Sequence, residues 1–221
     1  MNKLASPEWI ILVPGIYMPG LSLAVLARRL RKAGFQCRIF SYPSLRISVD
    51  ENAARLYRMV QTLNATTVHF VGHSLGGIVI RHLMARHSTN LPAGHTVTLG
   101  TPHTGSKVAR KLQQHHLGWL LGRSREHGLL GDLPDWPRAR ALGSLAGVYR
   151  YGLGRLLAPL NFPHDGTVEV AETACTGVTD RICLPVNHTS LLLDAQTAWQ
   201  IIFFLRNRRF DHSMGSTATK C

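Results

Sequence analysis

Apolar and polar positions follow two alternating rhythms along the first hundred residues. Short apolar runs, "WIILV" at 9–13, "CRIFSY" at 37–42, "TTVHFVG" at 66–72 and "HTVTLG" at 95–100, have the length and residue types of buried strands. Between them the apolar spacing changes to that of helices. Leu23, Leu26, Ala27 and Leu30 share one face of a helix over 21–33, which Gly34 ends. Asp50 caps or starts a second helix that reaches Leu63, with Ala53, Leu56, Val60 and Leu63 on one side. A third, Gly76 to His87, is apolar at Ile78, Val79, Ile80 and Leu83. The order is β-α-β-α-β-α-β, which predicts an α/β fold with a doubly wound, mostly parallel sheet in three layers.

Residues 103–140, rich in Gly, His, Arg and Leu, break this rhythm. They read as a partly helical insertion or cap. "LAGVYR" at 145–150 and "RICLPV" at 181–186 are expected as the fifth and sixth strands, and a closing helix runs from Thr189 to Arg208. The tail, 210–221, is expected to fray. No repeat or linker divides the chain, so one domain over 1–221 is expected.

Composition narrows the class. The 221 residues are 45% hydrophobic and 17% charged, enough for one full core. No run approaches the 18 apolar residues of a membrane span. The early run Trp9–Val13 is too short for a secretion signal, and Glu8 precedes it. A cytoplasmic protein is expected. The four cysteines form no C-x-x-C pair, so reduced thiols are expected, without zinc or a disulfide framework. Twenty-five Lys and Arg against twelve Asp and Glu give a net charge of +13, which favours anionic partners such as a membrane surface. The basic clusters at 28–32 and 206–209 fall on helices, without the aromatic interleaving of a nucleic-acid platform, so no specific nucleic acid is expected.

Candidate chemistry centres on "FVGHSLGG" at 70–77. A strand turns into a helix through Ser74, with Gly72 two residues before it and Gly76 two after. This G-x-S-x-G pattern is that of a nucleophile elbow, where the glycines let backbones approach and the hydroxyl points out of the sheet. A serine nucleophile needs a base and an acid, in chain order Ser, acid, His, on loops at the carboxyl edge of the sheet. Of the twelve histidines, His164, His188 and His212 lie far enough beyond Ser74 and outside the insertion. His188 follows a strand directly and precedes the last helix, as the base should. Asp165, Glu169, Glu172 and Asp180 compete for the acid. Asp165, in the turn "PHDGTV", is chosen, since the two glutamates fit an element with a solvated outer face and Asp180 starts a strand. Oxyanion donors would be the N–H groups of Leu75 and of Ile16, or next Tyr17, in "VPGIYMPG". Tyr17, Met18 and Trp119 are candidate acyl-site residues.

Taken together, "LVPGI", "VGHSLGG", "LGTPHTGS", "HDGTV" and "NHTSLL" resemble the α/β-hydrolase superfamily, in its compact lipase and PGAP-like branch. The resemblance covers residues 9–205. It implies the α/β-hydrolase fold, with Ser74 as nucleophile, Asp165 as acid, His188 as base, and Ile16 and Leu75 at the oxyanion hole. It implies a lipase- or esterase-like carboxylic ester hydrolase acting on acyl lipids, with no metal or cofactor. Thioesterase, amidase and acyltransferase chemistry would use the same triad. In one departure, Pro14 stands where many members carry His before the oxyanion-loop glycine. From another class, the alternative is a non-catalytic scaffold that binds an anionic membrane or nucleic acid through its basic surface.

Overall fold

The computed structural model describes residues 7–137, 139–151 and 154–213. Six strands, β1 (Trp9–Val13), β2 (Gln36–Ile39), β3 (Val68–His73), β4 (Thr96–Leu99), β5 (Leu142–Gly147) and β6 (Asp180–Leu184), form one parallel sheet in the order β2-β1-β3-β4-β5-β6. The register places Ile11 between Arg38 and Phe70, and Gly72 opposite Thr98.

Side chains of a strand alternate between faces, and both faces here are covered. Ile11, Val13 and Phe70 point into a core shared with α2 (Val49–Gln61) and α3 (Leu75–His87), through Leu56, Ile78 and Leu83. Ile10, Leu12 and Val71 point the other way. They meet α1 (Ala24–Lys32) and α6 (Ala195–Asn207), through Leu26, Leu30, Ile201 and Phe204. These are the three layers read from the sequence, and every loop after a strand gathers at one edge.

Boundaries moved where local hydrogen bonding decides them. The helix expected to start or cap at Asp50 is capped by Ser48, whose hydroxyl accepts from Glu51 N at 3.2 Å while Glu51 reaches back to Ser48 N at 3.1 Å. Asp50 is thereby freed to bind His82 Nδ1 at 2.5 Å and Arg86 at 2.6 Å on α3. The fifth strand starts at Leu142, three residues before the expected run, and ends at Gly147. The closing helix is split into a 3-10 turn (Ser190–Leu192) and α6, because Asp194 restarts it by accepting from Thr197 N at 2.7 Å.

Within 103–140 lie α4 (Lys107–Gln114) and a 3-10 stretch (Gly118–Arg125). The second half of this segment is fastened to the α2–α3 face. Arg123 N donates to Leu45 O at 2.9 Å, Arg123 pairs with Glu51 at 3.1 Å, and His82 Nε2 bonds His127 O at 2.7 Å. A single turn, α5 (Gly154–Leu157), precedes the loop that carries Asp165.

Two expectations need correction. The tail does not fray from 210. Phe210 is buried against Phe204, its N–H donates to Asp180 Oδ2 at 2.7 Å, and Asp211 bonds Gln200. The remainder, 214–221, lies outside the described residues. Cys37 and Cys175 are free thiols as expected, but Cys183 is disulfide-bonded. Among the described residues, no helix is long and apolar enough to cross a membrane.

Candidate active site

Ser74 joins β3 to α3 with φ 52° and ψ −122°, a conformation that non-glycine residues adopt only under constraint from their surroundings. The surroundings explain the glycines. A methyl group on Gly72 would stand 2.6 Å from the Gly77 backbone, and one on Gly76 would stand 2.1 Å from Val13 O. Both would force helix α3 away from the sheet. The turn is held by Ser74 N donating to Leu99 O at 2.9 Å and by Thr101 Oγ1 donating to Ser74 O at 3.0 Å. The serine side chain makes no capping bond to its own helix.

Two later loops bring Asp165 and His188 together. Asp165 Oδ2 lies 2.6 Å from His188 Nδ1, and its Oδ1 accepts from Thr167 N at 2.9 Å and Val168 N at 2.7 Å. Those two backbone donors fix the carboxylate plane, so the other oxygen faces the imidazole. The aspartate is 1% exposed. His188 N also donates to Asp165 O at 2.9 Å, locking one loop on the other. Close approach is possible because Gly100 follows β4. It has φ +54°, and a Cβ there would come within 2.9 Å of Asp165 Oδ2 and His188 Nδ1.

The other candidate acids are occupied elsewhere. Glu169 and Glu172 are not on a solvated face but buried. Glu169 binds Lys107 at 2.9 Å and Asn161 N at 2.6 Å, and Glu172 accepts from Glu169 N at 2.8 Å. Burial raises the Glu172 carboxyl above its ordinary range, against those backbone bonds. Asp180 sits at the amino end of β6, where it holds Phe210 N and His212. Of the other histidines weighed, His164 accepts from Gly166 N at 3.0 Å.

His73, which sequence reasoning passed over as a strand residue, touches the pair. Its ring centroid is 4.5 Å from that of His188, and its Nε2 lies 2.9 Å from His188 O. A carbonyl only accepts, so Nε2 carries the proton. Burial, then the neighbouring His188, lowers the His73 pKa to about 3, so its ring is neutral.

The loop after β1 reaches the same place. A Cβ on Gly15 would stand 3.1 Å from Ser74 Cβ and from His73 Nδ1. Pro14 O accepts from the Tyr42 hydroxyl at 2.8 Å. Leu75 N–H opens α3, and neither it nor Ile16 N–H has an acceptor among the described residues, whereas Tyr17 N–H meets Ser44 Oγ at 3.4 Å. Tyr17, 57% exposed, donates its hydroxyl to Leu120 O, and Trp119 is 70% exposed. Met18 is half-buried against the α1–α6 core. Among the described residues, no three His, Cys, Asp or Glu side chains are grouped as a metal ion would require.

Comparison with known proteins bears on the family and the fold. The family model described as "Alpha/beta hydrolase family" matches residues 10–202. The chain belongs to the alpha/beta hydrolase family. Among solved structures, this hydrolase is similar to the mature Bacillus licheniformis lipase BlEst2, with TM-score 0.67 and 20% identity over 92% of each chain. It is similar to the pyrethroid hydrolase PytH, with TM-score 0.64 and 14% identity over 92% of this chain and 99% of that one. It is also similar to the metagenomic carboxyl esterase MGS0156, with TM-score 0.61 and 18% identity over 83% of this chain and 65% of that one. No curated protein matches the sequence.

Proposed function

We propose that this hydrolase cleaves carboxylic esters of acyl lipids through Ser74, His188 and Asp165. The observation that carries the reading is the convergence of a strained serine turn with a buried Asp165–His188 pair of 2.6 Å at one sheet edge. Asp165 orients the imidazole with its proton on Nδ1, which leaves Nε2 bare to take the Ser74 proton. Ser74 Oγ attacks the ester carbonyl. The developing oxyanion is held by the N–H groups of Leu75 and Ile16, which have no acceptor among the described residues. His188 passes its proton to the leaving alcohol. Water, deprotonated by His188, then cleaves the acyl-enzyme and regenerates the serine.

The rim of that edge supports an apolar acyl group. Tyr17, Leu21 and Trp119 on one side and Tyr149, Tyr151 and Phe162 on the other are all exposed. Tyr17 and Leu21 follow β1, Trp119 falls in the insertion, Tyr149 and Tyr151 follow β5, and Phe162 precedes Asp165 in its loop. The names lipase and carboxyl esterase among the similar structures favour esters over amides. The positive net charge suits peripheral contact with an anionic membrane.

Hydrolysis of p-nitrophenyl esters from acetate to palmitate tests this reading. Turnover is expected in the wild type and lost in Ser74→Ala and His188→Ala. Equal turnover in Ser74→Ala, or a fluorophosphonate probe that fails to label Ser74 in the folded wild type, would overturn it.

A further inference from the structure

On the α3 side of the sheet, away from Ser74, lies a cavity of about 380 Å³ lined by Arg81, His103, Thr104, Cys175 and Arg181. Its charge balance is unusual. Arg81 is only 6% exposed, yet among the described residues no carboxylate pairs with it. Its Nε donates to Pro134 O at 2.5 Å and its Nη1 to His103 O at 2.7 Å, both neutral acceptors. Arg181 approaches from β6. Its Nη2 meets Val170 O and Thr173 Oγ1 at 3.1 Å, its Nε is buried without a partner, and it too lacks a carboxylate among the described residues.

The two guanidinium groups act on one spot. Burial first, then Arg81 and Arg181, lower the His103 pKa to about 3. His103 is therefore neutral and adds no third charge. Its Nε2 binds Thr98 Oγ1 at 3.1 Å, and its Nδ1 is buried without a partner. Asp135 is the acidic group close enough to influence Cys175 at the rim, but it is exposed and pairs with neither arginine. Burial raises the Cys175 thiol pKa, so it adds no negative charge to balance the two arginines.

A buried cation without a counter-charge is costly, and a charge-assisted bond to an anion relieves that cost. Arg140 is more fully bound: its Nε and Nη2 donate to the Gly94, Val68 and Pro92 carbonyls, and its face lies over Phe70. The buried Arg81 and the half-buried Arg181 each have two acceptors, both neutral, and line one cavity together. We propose that this cavity is a binding site for a phosphate-type oxyanion, independent of the ester chemistry at Ser74. Two forks arriving from different elements suit a tetrahedral group with several acceptor oxygens better than a single planar carboxylate. Ala174 and Val178 on the wall leave room for a small apolar part of the same ligand.

The source is either a free phosphate compound or a lipid phosphate head group, and the test separates them. Calorimetric titration of the full chain with inorganic phosphate and glycerol 3-phosphate forms one arm. Co-sedimentation with phosphatidylcholine vesicles, with and without phosphatidic acid, forms the other. Each is run on the wild type, Arg181→Gln, Arg181→Lys and Arg81→Gln. Saturable phosphate binding, weakened at least roughly tenfold in Arg181→Gln and partly restored in Arg181→Lys, supports a soluble ligand. Arg181-dependent capture by phosphatidic acid alone supports the head group. Binding in neither arm, or binding equal in wild type and Arg181→Gln with both folded by circular dichroism, overturns the site. Each arginine makes two structural bonds, but Arg81 is buried and Arg181 half-buried, so Arg181, with its Lys variant as control, carries the decision.

Discussion

His73 Nε2–H donates to the carbonyl oxygen of His188 at 2.9 Å, from the residue directly before Ser74. The backbone of His188 is thus clamped on both sides, by His73 at its C=O and by Asp165 O at its N–H. Nucleophile strand and base loop are joined by one bond. His73→Leu keeps the bulk and removes that bond, leaving a buried carbonyl unpaired. The expected outcome is a kcat lower by about tenfold to hundredfold with KM little changed, because base and serine drift while the acyl site stays. Steady-state kinetics on a soluble p-nitrophenyl ester check it.

Asp165→Asn preserves shape but offers its NH2 or its carbonyl to His188 Nδ1, and no negative charge. Turnover is expected to fall by roughly a thousandfold or more, as loss of the orienting carboxylate does in triads generally. Thermal unfolding should move little if the two backbone bonds to Oδ1 are kept. Activity within a few fold of wild type would show that Asp165 is not the acid.

Gly100→Ala places a methyl group 2.9 Å from both partners of the Asp165–His188 bond, at φ +54°. The substitution should cost about 1 kcal/mol in backbone strain alone and more from the contact. Activity is expected to fall further than stability, which urea unfolding and ester turnover measured together would reveal.

Stability should weaken in mild acid. Burial, ahead of nearby charges, lowers His69 to about 4 and His73 and His103 to about 3, against an ordinary value of 6.5. Each binds a proton more readily in the unfolded chain. Their contribution is therefore complete above pH 6.5 and drains away as pH falls from 6.5 toward 4. The slope approaches about 1.4 kcal/mol per pH unit for each of them. Urea unfolding across that window checks the fall, and His69→Gln should flatten it.

Trp119 stands 70% exposed next to Leu120, whose carbonyl takes the Tyr17 hydroxyl. Trp119→Ser is expected to leave stability within about 0.5 kcal/mol, since little packing is lost. It should raise KM for palmitate esters more than for acetate esters, as measured across the chain-length series.

The layers of the fold were legible because Trp9–Val13 is apolar at every position, as a strand covered on both faces must be, and apolar runs alternate with helical spacing. Ser74 was legible because its glycines are demanded by backbone contacts within a few residues. Less local features escaped. Ser48 takes the helix cap from Asp50 through Glu51, and Asp50 finds its partners on another helix. Glu169 and Glu172 read as surface residues, yet they are buried and bound to Lys107 and its neighbours from α4. His73 reads as one more residue of a buried strand. Its contact with His188, 115 positions on, exists only once the sheet is assembled.

The insertion is fastened unevenly. Between 123 and 127 it is tied to Leu45, Glu51 and His82, whereas beside Trp119 the side-chain tie to the loop after β1 is the Tyr17 hydroxyl on Leu120 O. A single phenol thus carries the side-chain hydrogen bond between the loop after β1 and the 3-10 stretch, so Tyr17→Phe removes that link and leaves the ties at Glu51 and His82 in place.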